Sequence, residues 1–373
     1  MASPEAVESI ETPLAERLRE RIRREGAITF RDWMEAALYD PHEGYYQRRD
    51  LTRWGRKGDY RTSPERSPLF AATCARYFAS LYEELGSPHV WTLLEAGAGA
   101  GHFARGVLET FERFYPRVFA ATRFLIDELS QDARQRAECQ LARFKQHVEF
   151  RRLSDIKKPL NPGVIFSNEL LDSFPIHRVL MRKGHLLELC VGLSDRGDFI
   201  WIEREPTIPS LLEHFALTGV NLSEGQIAEV NLAAKDWVTR AAAILERGYL
   251  ITVDYGDEAD NLYGEPHRSA GTLRAFRQHH LAYDALAHPG DQDITTTVNW
   301  TQIRKVGEAS GLRHVSFERQ DEFLLRAGLL DQLELMTNDT RNETESLILR
   351  ASAREMILPA GLSTSFQVLV QKR

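Results

Sequence analysis

The sequence predicts an α/β protein built on a doubly wound parallel sheet. Two observations carry this. An apolar run at 90–95 meets a glycine-rich turn and then a helical pattern, and a second run at 123–127 ends in acid before another helical stretch. Further runs at 147–150 and 163–167 complete four strands, with helices expected at about 100–115 and 130–144 between the first three.

Upstream of this core, Pro13 to Glu25 places Leu14, Leu18 and Ile22 at i+4 steps, and Gly26 stands where a helix stops. Thr29 then caps a second helix whose Phe30, Trp33, Met34, Ala37 and Leu38 form one buried face. Periodicity is lost from Asp40 to Glu65, a segment with a basic cluster at Arg48, Arg49, Arg53, Arg56 and Lys57; it reads as a functional loop or as solvated charge. The expected organisation is residues 1–66 as N-terminal helices and a loop covering the site, and 67–373 as the main domain. Within the latter, a hairpin at 179–191, extended by 199–202, and helices at about 207–247 form an insertion at about 179–247. Strands at 249–254 and 366–370 return to the sheet.

The turn after the first strand carries Gly97, Gly99 and Gly101 at two-residue spacing, preceded by Glu95. Glycines there let a ligand lie against the main chain. A dinucleotide fingerprint needs G-x-G-x-x-G and a pyrophosphate at the helix N-terminus; here the third glycine comes one residue early, and Glu95 suits a cation better than a phosphate. S-adenosyl-L-methionine, with an amino group, a sulfonium and no phosphate, answers that description. Another nucleotide, or a tight turn without ligand, stays open. At the tip of the second strand, Glu128 or Asp127 is placed to accept hydrogen bonds from ribose hydroxyls, while the other charges the helix opened by Ser130.

The fourth strand delivers Asn168-Glu169-Leu170-Leu171-Asp172-Ser173-Phe174-Pro175 to the carboxyl edge of the sheet, where ligands of such folds bind. Glu169 and Asp172 would grip a guanidinium bidentately, or Asn168 and Asp172 merely cap a helix. Asp254-Tyr255-Gly256 closes another strand at that edge.

A net charge of -7 argues against general nucleic-acid binding. The three cysteines, Cys74, Cys139 and Cys190, offer neither a disulfide framework nor a CxxC metal site, and no metal is expected. No stretch approaches the about 18 apolar residues of a membrane span, so a cytoplasmic protein is expected.

Several pieces together resemble the MidA family of class I methyltransferases. These are Gly44-Tyr45-Tyr46, Gly58-Asp59-Tyr60-Arg61-Thr62-Ser63-Pro64-Glu65, Leu94 to Gly101, Glu128-Leu129-Ser130, Asn168 to Pro175, Asp254-Tyr255-Gly256 and Gly271-Thr272-Leu273-Arg274. The resemblance implies a class I methyltransferase (Rossmann-like) fold and S-adenosyl-L-methionine as cofactor. The family includes a mitochondrial assembly factor that methylates an arginine of a respiratory complex I subunit, which implies a protein substrate. A small-molecule acceptor, a non-catalytic cofactor-binding assembly protein, and a homodimer remain alternatives. By the resemblance, Glu95, Gly97, Gly99 and Gly101 hold the methionine end of the cofactor, Glu128 its ribose, and Thr62 and Glu65 close the site, while Asn168, Glu169 and Asp172 face the acceptor. Asp127 and Ser154 complete the cofactor-binding candidates. The chain departs from the family at Ala98 and Ala100, where relatives usually carry Pro and Arg.

Overall fold

The computed structural model describes residues 12–51, 67–277, 280–340, 342–358 and 365–373. Their contacts divide the chain into two units, one of 12–51, 174–232 and 263–296, the other of 67–173, 233–262 and 297–373.

The second unit holds an eight-stranded sheet: β1 (Trp91–Ala96), β2 (Thr122–Asp127), β3 (Val148–Phe150), β4 (Gly163–Asn168), β5 (Gly248–Asp257), β6 (Val298–Asn299), β7 (Arg313–Arg319) and β8 (Phe366–Lys372). Spatial order is β3-β2-β1-β4-β5-β8-β7, with the short β6 added parallel to the end of β5. Strands β1 to β5 run parallel, and β8 is antiparallel to both its neighbours. β1 is buried along its whole length, as expected for a strand covered on both faces. The chain moves outward from β1 through β2 to β3, then returns to β4 on the other flank of β1. That reversal opens a ligand crevice at the carboxyl ends of β1 and β4.

Two helices seal the sheet beside this crevice. α1 (Pro68–Glu84) and α2 (His102–Phe114) bury Phe78 and Phe103, and Phe103 stacks on Phe166 of β4 with ring centroids 4.3 Å apart. α3 (Gln131–Gln140) opens at Ser130, whose Oγ accepts the Ala133 amide at 3.3 Å.

The first unit is built on helices Pro13–Glu25 and Phe30–Tyr39, both as the spacing predicts, with Thr12 and Thr29 accepting the cap hydrogen bonds. Its five-stranded antiparallel sheet joins Ile28–Thr29, His177–Arg182, His185–Leu193, Phe199–Arg204 and Ile227–Val230. Phe30 stacks on Trp33 and packs against Trp201, centroids 5.6 and 4.9 Å away. A smaller sheet joins Arg274–Arg277, His280–Ala282 and Asp293–Thr295.

One difference from expectation has a physical cause. The stretch 207–247 is not helical throughout: helices Ser210–Thr218 and Leu232–Ile244 flank the strand Ile227–Val230, which pairs with His177–Leu180. Four residues that include Glu229 give no period to read, and only the partner strand makes them extended.

Candidate functional site

The glycine turn departs from β1 with Gly97, Gly99 and Gly101 at φ +71°, +53° and +82°, a region that favours glycine. A Cβ on Gly97 would stand 2.8 Å from Leu170 Cδ1, and one on Gly101 3.0 Å from Ala137 Cβ, so the first glycine admits the β4 loop and the third admits α3. Glu128 ties the turn to β2. Its Oε2 accepts the Gly99 amide at 2.8 Å and its Oε1 the Ser130 amide at 2.7 Å. Asp127 takes a different role, as its Oδ1 lies 2.7 Å from Arg152 Nε. Of the two acids at the tip of β2, Glu128 is therefore the one whose carboxylate joins the glycine turn, while Asp127 accepts the Gly97 amide through its backbone carbonyl at 2.8 Å. Ser154 is exposed on the single turn Leu153–Asp155 and donates to Asp155 Oδ1 at 3.2 Å. Thr62 and Glu65 lie outside the described residues.

Glu95 is 5% exposed, and its Oε2 has no hydrogen-bond partner among the described residues. Burial, with the Glu128 carboxylate nearby, holds the Glu95 carboxyl well above the usual carboxylate range, and the Ala104 amide pulls the other way. In the ligand-free protein the folded chain thus keeps a proton that the unfolded chain releases. The stability this group contributes is complete below its ordinary value of 4.5 and is lost as pH rises through the folded value. Glu95→Gln should abolish the loss: its melting temperature should gain on the wild type as pH rises from about 5 to 8. An unchanging difference across that range contradicts this reading.

At the end of β4, Asn168 Nδ2 donates to Glu169 Oε1 at 2.9 Å, and Asn168 Oδ1 is buried with no partner among the described residues. Glu169 has φ +52°, a conformation that costs a non-glycine residue about 1–2 kcal/mol. No α-helix opens here. Residues Leu171–Ser173 form a single 3-10 turn, so capping does not account for Asn168 or Asp172. Asp172 is buried, and its Oδ2 accepts the Tyr255 hydroxyl. Asp254, one residue earlier on β5, is fully buried; its Oδ2 accepts the Leu170, Leu171 and Asp172 amides at 3.2, 2.9 and 3.4 Å, and its Oδ1 the Tyr255 amide at 2.9 Å. Burial, then the Asp172 and Glu169 carboxylates, raise the Asp254 carboxyl well above its ordinary range against the pull of those amides.

The site thus gathers Glu95, the glycine turn, Glu128 and the 168–172 loop within one unit. Sequence reading placed Asp254-Tyr255 at this edge but missed what they hold, since the partners lie more than eighty residues away in the chain. It also missed Arg152.

Residues 73–317 match a family described as "Putative S-adenosyl-L-methionine-dependent methyltransferase". The chain belongs to this family, the MidA family. A crystal structure of a Burkholderia thailandensis relative bound to S-adenosyl-homocysteine superposes with a TM-score of 0.85 at 28% identity, covering 98% of this chain and 95% of that one. The curated relatives include a Drosophila melanogaster protein named "Protein arginine methyltransferase NDUFAF7 homolog, mitochondrial", 28% identical over 98% of this chain and 87% of its own. The human protein arginine methyltransferase NDUFAF7 is 25% identical over 91% and 78%. S-adenosyl-L-methionine is the cofactor of the MidA fold, and the residues present fit it: the buried Glu95 carboxyl, with one oxygen lacking a hydrogen-bond partner among the described residues, suits an ammonium. No helix among the described residues is long and apolar enough to cross a membrane.

Proposed function

We propose that the protein transfers a methyl group to a guanidinium nitrogen of an arginine in a protein substrate. The observation that carries this reading is the pair of carboxylates, Glu169 and Asp172, on a loop at the same sheet edge as the glycine turn, with Leu170 between them packed toward Gly97. S-adenosyl-L-methionine supplies the electrophilic methyl group. The protein's own part is to hold the nucleophile in line and strip its proton. Two carboxylates bind a guanidinium through parallel hydrogen bonds, which fixes its plane and the direction of its free nitrogen. The Glu169 carboxylate takes the proton that this nitrogen loses as the new N–C bond forms. The names of the Drosophila and human relatives support the arginine reading.

Cofactor binding and acceptor grip are separable. Glu169→Gln and Asp172→Asn should each lower the transfer rate by about a hundredfold or more, the ordinary worth of a positioned acid–base group. Both should bind S-adenosyl-L-homocysteine within about threefold of the wild type. Wild-type rates in both variants would remove the loop from the reaction.

A further inference from the structure

Every backbone amide from 169 to 172 is held by β5. The Glu169 amide donates to the Val253 carbonyl at 2.9 Å, and the next three converge on a single oxygen of Asp254. Three successive amides aimed at one buried carboxylate fix the backbone there more firmly than any turn sequence could, because each amide left unmade in a buried place is costly. This hold keeps Glu169 in its left-handed conformation. The next residue on β5 completes the arrangement from the side-chain end, since the Tyr255 hydroxyl donates to Asp172 Oδ2. The two loop carboxylates are held from different sides: Asp172 accepts the Tyr255 hydroxyl, and Glu169 accepts an amide N–H of its own neighbour, Asn168.

We propose that Asp254 and Tyr255 are positioning residues of the transfer step, Asp254 templating the backbone of the acceptor loop and Tyr255 setting the Asp172 carboxylate so that Glu169 meets the reacting nitrogen. The proposal rests on the reading of that loop as the acceptor grip. Neither residue touches the acceptor; each acts through Asp172 or the loop amides.

The test combines amide hydrogen exchange on the full chain, titration with S-adenosyl-L-homocysteine, and methyl transfer from labelled S-adenosyl-L-methionine to proteins of the producing organism. Asp254→Ala removes both acceptor oxygens from the amides. Exchange at Leu170, Leu171 and Asp172 should accelerate about tenfold or more, the worth of one lost hydrogen bond. Tyr255→Phe should leave those amides protected and the melting temperature unchanged, yet lower the apparent kcat about tenfold with the KM for S-adenosyl-L-methionine within about threefold. Unaltered exchange in Asp254→Ala overturns the template, and wild-type kcat in Tyr255→Phe overturns the positioning of Asp172. Label from the wild type confined to small molecules would defeat the arginine reading alone, since the exchange contrast and the Tyr255→Phe rate on that acceptor still decide the proposal.

Discussion

Glu128→Ala is expected to weaken S-adenosyl-L-homocysteine binding by about a hundredfold, equivalent to about 2.7 kcal/mol. Glu128 accepts two backbone amides, Gly99 at 2.8 Å and Ser130 at 2.7 Å, and such bonds to a charged group contribute about 1.5–3 kcal/mol each. Without them the turn keeps only the Gly97 amide on the Asp127 carbonyl as a tie to the end of β2 among the bonds described, and Gly99 loses the acceptor that holds it at φ +53°. In the proposed role, the same carboxylate also accepts ribose hydroxyls through its remaining lone pairs. Glu128→Gln keeps one acceptor oxygen and should fall between the wild type and Ala. Calorimetric titration of the three proteins checks the order. Equal affinity in all three would mean that the glycine turn holds its shape, and its ligand, without Glu128.

The second large effect concerns folding. Gly248 opens β5 at φ +139°, and a Cβ there would lie 1.7 Å from the Gly163 carbonyl oxygen on β4. Both atoms belong to central strands in fixed register, Gly248 opposite Gly163, so neither side has a flexible end that could yield. Gly248→Ala should therefore cost more than about 4 kcal/mol, in the range of exceptional substitutions, and leave little folded protein. Gly26→Ala is the contrast: φ is +81° and ψ -170°, a glycine-favouring conformation, but nothing lies within 4 Å, so only the backbone cost of about 1–3 kcal/mol applies. Urea unfolding of both variants measures the difference. Similar losses would contradict the β4–β5 register.

Gly248 also illustrates how far the sequence could be read. The helical stretch expected to run to about 247 ends at Ile244, and the glycine opens a strand at a close approach to its neighbour. Strands buried on both faces were legible, because β1, β2, β4 and β5 are continuous apolar runs bounded by turns. β7 was not. Arg313-His314-Val315-Ser316-Phe317-Glu318-Arg319 is a charged edge strand, and charge there protects an open edge while erasing the apolar signal. In the site, the glycine turn and its acids were legible from local order alone. The Glu128 tie to Gly99 spans 29 residues and the Asp254 hold on the loop more than eighty, so their pairing depends on strand order. Asp127 and Glu128 looked equivalent in sequence; Arg152, beyond β3, separates them by claiming Asp127.

In the proposed reaction the loop from Asn168 to Asp172 presents carboxylates to a protein arginine. Incubating the full chain with isotopically labelled S-adenosyl-L-methionine and a lysate of its own organism, followed by mass-spectrometric mapping of the label, tests it most directly. The expected product is N-methylarginine in a protein, absent when Glu169→Gln replaces the wild type. Label found only in small molecules, or protein label that persists undiminished with Glu169→Gln, would contradict it.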